Sequence, residues 1–126
     1  MLNYFNFDEF ASPDDNNSGL PTSDGGKMCI DFLHKLDEIR HIYGKPIKIN
    51  SAYRTPDHNL KVGGRVGSSH AKVPCRAVDI HCNNSVDRSD LISAIIKVGL
   101  GRRLGIGKTF LHLDDDSSKP NACWLY

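Results

Sequence analysis

Two histidines, an aspartate and two cysteines lie within the fifteen residues SSHAKVPCRAVDIHC at positions 68–82. Imidazole, carboxylate and thiolate groups are the side chains that bind zinc in proteins. Structural zinc sites usually take their ligands in closely spaced pairs such as CxxC, and the chain contains no such pair. The stretch therefore indicates a site that would need further ligands from elsewhere in the chain.

The segment RLGIGKTFLHLD, residues 103–114, holds further candidates and predicts a β-hairpin that turns near Gly107 and Lys108. Its second half alternates polar and apolar residues. Because successive side chains of a strand point to opposite faces, His112 and Asp114 share one face and the two leucines beside His112 share the other.

RAVDIHC, residues 76–82, alternates in the same way and predicts a second strand. Asp79 and His81 lie on its polar face with Ala77, whereas the apolar face carries Val78, Ile80 and Cys82. If both apolar faces pack against helices, the polar faces project to the opposite, open side of the sheet. A divalent metal would hold such ionisable groups together, and His70, at the end of the preceding loop, could add an imidazole.

The surrounding segments predict a small α+β domain. Residues 27–43 carry apolar side chains at helical spacing, and LISAIIKVG, residues 91–99, predicts a second helix. PIKINSAY, residues 46–53, alternates like a strand, while residues 54–67 contain three glycines and a proline and predict a long loop. We therefore predict a small antiparallel sheet covered on one face by helices, with the metal site on the open face.

Length and charge limit the organisation of the protein and its partners. The 126 residues suffice for one domain, residues 1–126, and residues 1–26 predict a polar arm packed on the body through four aromatics: Tyr4, Phe5, Phe7 and Phe10. A formal net charge of +1 makes no case for nucleic acid, and no apolar run reaches the roughly 20 residues of a membrane-spanning helix. We expect a monomer that binds neither nucleic acid nor a membrane.

The N-terminus and the cysteines bear on the compartment. MLNYFNFDEF carries Asp8 and Glu9 where a secretory signal would carry positive charge, so we expect no signal peptide. We accordingly expect free thiols at the four cysteines, which are Cys29, Cys75, Cys82 and Cys123.

Four motifs in order, SAYRTPDHN, VGGRVGSSH, AVDI and GIGKTFLHLD, resemble the zinc D-alanyl-D-alanine carboxypeptidase and endopeptidase family, peptidase family M15, in its phage and bacterial peptidoglycan-cleaving branch. The resemblance spans roughly Tyr4 to Asp114, because YFNFDEFAS and DFLHKLDEIR are also similar to that branch. It implies a hedgehog/DD-peptidase-like fold and one zinc ion, Zn²⁺, bound by His70, Asp79 and His112.

The same resemblance implies an activity. Two imidazoles and one carboxylate leave a fourth zinc position open for water, as in catalytic sites. Arg54 would face the substrate, and Asp114 would orient His112 or transfer a proton. The implied reaction is hydrolysis of an amide bond in the peptidoglycan stem, of the D-Ala-D-Ala carboxypeptidase or the L-alanyl-D-glutamate endopeptidase type. The implied setting is a phage endolysin or virion-associated lysin, made in the cytoplasm and acting on the cell wall after release or from the virion.

The chain departs from the family pattern at several positions. The first histidine and the aspartate are usually seven residues apart with a glycine between them, and here they are nine apart without one, so His81 is an alternative ligand to Asp79. Thr109 stands where many members have an acidic general base, and Asp116 where they often have an arginine. Either Asp114 transfers the proton, or metal-bound water acts with weaker assistance, or the protein is a non-catalytic zinc-containing module that binds peptidoglycan.

Overall fold

A computed structural model describes residues 2–126, which form a five-stranded sheet and three α-helices. The strands are β1 (Ile49–Ser51), β2 (Ala77–His81), β3 (Arg103–Ile106), β4 (Phe110–Asp114) and β5 (Ala122–Leu125). The helices are α1 (Ile30–Tyr43), α2 (Pro56–Lys61) and α3 (Ser85–Lys97). Strand order is β1-β2-β4-β3-β5, and neighbouring strands are antiparallel except for β3 and β5, which are parallel.

The core contains the apolar face of the sheet and the apolar sides of α1 and α3. Its most buried members include Val78 and Ile80 of β2, Leu111 and Leu113 of β4, Leu33 and Leu36 of α1, and Leu91 and Ile95 of α3. Helix α1 ends where Gly44 adopts a left-handed conformation and donates its N–H to the Arg40 carbonyl. The polar face of the sheet is thereby left away from the core, as the alternation of the two strands predicts.

The predicted α+β class is confirmed, and three details of the prediction are wrong. The sheet is mixed rather than antiparallel, because the unpredicted strand β5 pairs in parallel with β3. The predicted loop over residues 54–67 contains α2, whose start is capped by the Thr55 side chain and has Pro56 at the first helical position. Helix α3 begins at Ser85 rather than Leu91, because Asn84 accepts a hydrogen bond from the Asp87 amide and caps it there.

The N-terminal arm is described from Leu2, so Met1 of the predicted range 1–26 lies outside the described residues. Phe5 and Phe10 are buried in the core, whereas Phe7 is partly buried. Tyr4 is exposed and packs on α1, where its hydroxyl lies 2.6 Å from Nδ1 of His41. Within residues 2–126, no helix has the length and apolar composition needed to span a bilayer.

Candidate metal centre

A row of five paired residues crosses the sheet and positions the site. Ser51 is paired with Asp79, Asp79 with His112, His112 with Gly105, and Gly105 with Trp124. Directly opposed residues of neighbouring strands project to the same face. Asp79 and His112 therefore stand side by side on the face that points away from the core.

His70 reaches the same place from a short 3₁₀ helix, Ser69–Ala71. Its Nδ1 lies 2.6 Å from the backbone oxygen of Ala52, and its own carbonyl accepts the N–H of Arg54 at 2.8 Å. Because a carbonyl only accepts hydrogen bonds, Nδ1 must carry the proton of the neutral ring. Nε2 is left as an unprotonated nitrogen that faces Asp79 and His112.

Three candidate ligand atoms form a nearly equilateral triangle. Asp79 Oδ1 lies 2.9 Å from His112 Nδ1 and 3.3 Å from His70 Nε2, and the two nitrogens are 3.3 Å apart. In a tetrahedral zinc site with bonds of about 2.0–2.2 Å, neighbouring ligand atoms lie roughly 3.3–3.6 Å apart. The spacing of the three atoms therefore fits a zinc ion with one further position open.

The protonation pattern also fits a cation. Nε2 of His112 lies 2.6 Å from Oδ2 of Asp114, and a carboxylate only accepts, so this nitrogen carries the ring proton. Nδ1 of His112 is then unprotonated, like Nε2 of His70. When both rings are neutral, the triangle consists of three electron-pair donors without a proton between them, and a metal ion satisfies all three at once.

The pKa values of two of these groups reflect their close approach. Burial raises the pKa of Asp79, but the ring nitrogens of His112 and His70 beside it, which donate to the carboxylate when they are protonated, outweigh this and hold the pKa well below the usual range. Burial lowers the pKa of His112, and hydrogen bonds with Asp114 and Asp79 outweigh that effect and raise it above its usual value. Asp79 is thus an anion at neutral pH, and a proton and a metal ion compete for Nδ1 of His112.

Asp114 lies behind His112 and supports it from within the protein. Its side chain is almost completely buried, and its Oδ1 accepts hydrogen bonds from Nε of Arg103 at 2.7 Å and from the Asp116 amide at 3.0 Å. Burial raises the pKa of Asp114, but the bonds from His112, Asp116 and Arg103 hold it below the usual value. A buried anion in this position orients His112 and is a positioning residue. No motif in the sequence marked Arg103 as a site residue.

Arg54 holds the oxygen of Asp79 that is turned away from the histidines. Its Nη2 lies 3.2 Å from Asp79 Oδ2, while Nε donates to Ser51 Oγ at 2.9 Å and Nη1 to Asn59 Oδ1 at 3.3 Å. Asn59 is buried in α2 and also donates to the Arg65 carbonyl. The guanidinium therefore lies at the site, with each of its nitrogens bonded within the protein, and it leaves Oδ1 of Asp79 to the triangle.

The family model described as Peptidase M15 matches residues 3–114. The chain belongs to the M15 peptidase family. The matched range agrees with the predicted resemblance over Tyr4 to Asp114, contains all three candidate ligands, and ends before β5. No curated protein and no solved structure matches this M15 chain significantly.

Two of the departures from the M15 pattern can be located in the fold. His81 lies at the exposed end of β2, opposite Phe110, and Asp79 rather than His81 lies with the two histidines. Thr109 is exposed in the turn between β3 and β4. Within residues 2–126, the only carboxylates hydrogen-bonded to His70 or His112 are those of Asp79 and Asp114.

The longer loop before β2 of this M15 domain is tied down at both ends. Cys75 donates its N–H to the Lys27 carbonyl at 2.7 Å, and its carbonyl accepts the Cys29 N–H at 3.0 Å. Burial raises the pKa of the Cys75 thiol to about 12, so the free thiol is uncharged at neutral pH. All four cysteines are free.

Asp116 anchors the other end of that loop. Its nearly buried carboxylate accepts Ser69 Oγ at 2.7 Å and Lys72 Nζ at 2.8 Å, and it also accepts the backbone N–H and the hydroxyl of Ser118. Burial raises the pKa of Asp116, but these partners outweigh it and hold the pKa well below the usual range. Because Ser69 precedes His70, Asp116 helps to fix the turn that carries this imidazole. In the sequence, Asp116 stood out only as a departure from the family pattern.

Proposed function

We propose that the protein is a zinc-dependent peptidase that hydrolyses an amide bond in the peptide stem of bacterial peptidoglycan. The observation that carries the proposal is the triangle of candidate ligand atoms on His70, Asp79 and His112 in an M15 family chain. Two neutral imidazoles and one carboxylate suit a catalytic zinc site, because they leave one position open and a residual charge of about +1.

The chemistry would be divided between the metal and the side chains around it. Zinc bound there would lower the pKa of its water toward about 7 and polarise a peptide carbonyl. Asp114 keeps Nδ1 of His112 unprotonated, and Ala52 does the same for Nε2 of His70. Arg54 keeps Asp79 in place and offers a permanent positive charge to a substrate carboxylate or a developing oxyanion.

Proton transfer is the weakest part of this site. A positioned general base contributes roughly 100- to 10,000-fold to rate in enzymes that use one. Thr109 is no substitute, because a hydroxyl is not a base at neutral pH and its side chain is exposed in the turn. We therefore expect slow hydrolysis that depends on the acidity of the metal-bound water.

The substrate, its cleavage site and the setting follow from the family resemblance. The scissile bond would be the D-Ala-D-Ala bond or the L-alanyl-D-glutamate bond of the stem. The protein would act as a monomer on the cell wall, as a phage endolysin or a virion-associated lysin. The peptidoglycan stem peptide is the partner in this proposal.

One observation favours a second function. Position 109 has no acid, and the imidazoles contact no carboxylate except Asp79 and Asp114 among residues 2–126. A chain that retained zinc without efficient proton transfer would be a zinc-containing module that binds peptidoglycan without cutting it.

Turnover separates the two functions. Zinc-loaded protein is incubated at neutral and mildly alkaline pH with purified peptidoglycan and with synthetic stem peptides, and the products are identified by mass spectrometry. Released D-alanine indicates the carboxypeptidase type, whereas a new amine on D-glutamate indicates the endopeptidase type. Binding of the peptide without fragments would establish the binding module.

Metal content is the matching test of the site itself. Protein purified without added metal is expected to contain one zinc per chain by elemental analysis. Because the metal binds the folded state, a zinc concentration 100 times the Kd adds about 2.7 kcal/mol to the free energy of unfolding. A chain that contains no zinc and melts at the same temperature with and without added zinc would rule out the metal centre.

A further inference from the structure

His112 and three other side chains form a closed ring of contacts. Nε2 of His112 is hydrogen-bonded to Asp114, and Asp114 accepts a hydrogen bond from Nε of Arg103. The Arg103 guanidinium lies over the Trp124 indole, 5.0 Å from the ring centre. Trp124 closes the ring of contacts, because its ring centre lies 5.4 Å from that of His112.

The ring is possible because Gly105 separates His112 from Trp124 in the cross-sheet row. A Cβ atom at position 105 would lie 2.6 Å from a ring carbon of Tyr126 and 2.7 Å from two indole atoms of Trp124, which is closer than side chains tolerate. Gly105 does not need its backbone freedom there, since its φ is not positive. The absence of a side chain therefore lets the indole lie over β3 and reach His112.

Strand β5 brings this indole to the metal centre from outside the range that matches the M15 family. The match ends at residue 114, whereas β5 covers Ala122–Leu125. Arg103 also holds the approach to β5, because its Nη1 donates to the Pro120 carbonyl at 2.6 Å. One arginine thus contacts the partner of His112, the indole and the segment that leads to β5.

We propose that Trp124 is a positioning residue of the metal centre, which fixes the ring of His112 so that Nδ1 faces His70 and Asp79. The inference rests on the metal site of the proposed function. The hydrogen bond to Asp114 sets one direction of the imidazole, and contact with the indole restricts its remaining rotation. The indole also covers one side of His112 against water, which strengthens the electrostatic interactions of the ring. Groups that orient a ligand in this way typically contribute 10- to 100-fold to metal affinity.

Zinc affinity, measured by competition with a chromophoric chelator, tests the proposal. Trp124→Ala is expected to weaken zinc binding about 10- to 100-fold, and Trp124→Phe less, because a phenyl ring keeps part of the contact. Leu125→Ala is the matched control, since the adjacent side chain is largely exposed and points to the other face of β5. Unchanged zinc affinity in Trp124→Ala, with a lower melting temperature of the metal-free protein, would mean that the indole only holds β5 on the sheet.

Gly105→Ala probes the same contact from the neighbouring strand. The added methyl group displaces the indole, so zinc affinity is expected to fall as it does in Trp124→Ala. In a protein that already carries Trp124→Ala, the same change should lower zinc affinity little further, because the indole is gone and the methyl group then meets only Tyr126. If the two changes lowered zinc affinity additively, Gly105→Ala would act independently of Trp124, and this would contradict the proposal.

The metal-free protein provides a readout that does not depend on zinc. NMR of the His112 ring is expected to show one fixed ring orientation in the wild type and line broadening from ring rotation in Trp124→Ala. Unchanged, sharp ring signals in the variant would overturn the positioning role. Failure of the wild type to bind zinc would instead overturn the proposed function, so the two failures can be told apart.

Discussion

Nη2 of Arg54 lies 3.2 Å from Oδ2 of Asp79, while the other oxygen of that carboxylate faces the two histidines. The two oxygens of the Asp79 carboxylate therefore have different partners. One oxygen is held by the guanidinium, and the second is free for a metal ion. A residue predicted from sequence to meet the substrate is thus also a support of the candidate metal centre.

Arg54→Ala is expected to weaken zinc binding about 10- to 100-fold, because Asp79 loses the partner that orients it. If Arg54 also contacts the substrate, hydrolysis at saturating zinc should fall by a further factor of about 100 to 1,000. Arg65→Ala is the matched control, since that side chain is exposed on the following loop. Zinc titration and single-substrate kinetics separate the two effects, and wild-type values for both would assign Arg54 to the loop alone.

Asp79→Ala is expected to abolish zinc retention, whereas His81→Ala should leave it nearly unchanged. The two residues alternate onto the same face of β2, but only Asp79 lies within 3.3 Å of both imidazoles. Elemental analysis after gel filtration measures the retained metal. Loss of zinc in His81→Ala with retention in Asp79→Ala would show that His81 is the ligand.

Asp114→Asn is expected to lower both stability and zinc affinity. Removing one partner of a buried charged pair leaves Arg103 without its counter-ion and typically costs about 3 to 5 kcal/mol. The amide can also donate to Nε2 of His112 and so favour the wrong tautomer. Urea unfolding of the metal-free protein measures the first effect, and zinc titration under native conditions measures the second. A stable variant with normal zinc affinity would contradict the assigned position of Asp114.

Asp116→Asn should destabilise the protein in a pH-dependent way. Because the pKa of Asp116 is lower in the folded state, the carboxylate stabilises the fold fully above its unfolded pKa of about 3.9, and this contribution is lost as pH falls through the folded pKa. The variant should lose about 1.5 to 3 kcal/mol near neutral pH, as is typical for hydrogen bonds to a charged group.

The difference in the free energy of unfolding between wild type and Asp116→Asn should shrink as the pH is lowered below about 4. Urea unfolding of both proteins across the acidic range measures it. Asp24→Asn, at an exposed turn, serves as the control. A difference that stays constant with pH would show that the carboxylate contributes by packing rather than by charge.

Much of the fold could be predicted because its signals are local. Alternation with a period of two placed Asp79 on the polar face of β2 and His112 on the polar face of β4, and both faces are observed. Glycines marked the hairpin turn and the end of α1 for the same reason, since a turn depends on a few adjacent residues. The helix α2 was missed because a six-residue helix with an N-cap differs little from a loop in its pattern.

The family motifs predicted the candidate ligands, but not the groups that orient them and set their protonation. The two-residue difference in loop length between His70 and Asp79 left His81 open as a ligand, because spacing along a loop does not define where its ends lie. The hydrogen bonds of Ala52 and Asp114, which determine the unprotonated nitrogen of each imidazole, join residues from different elements.

The sequence by itself determined the α+β class, the polar faces of two strands and the M15 resemblance that identifies His70, Asp79 and His112. Only the tertiary structure decided the strand register that sets Asp79 beside His112, and the return of β5 that packs Trp124 onto His112. The physical reason is the range of the interactions. Side-chain periodicity is encoded over a few residues, whereas ligand spacing, tautomer and burial arise from contacts between segments far apart in the chain.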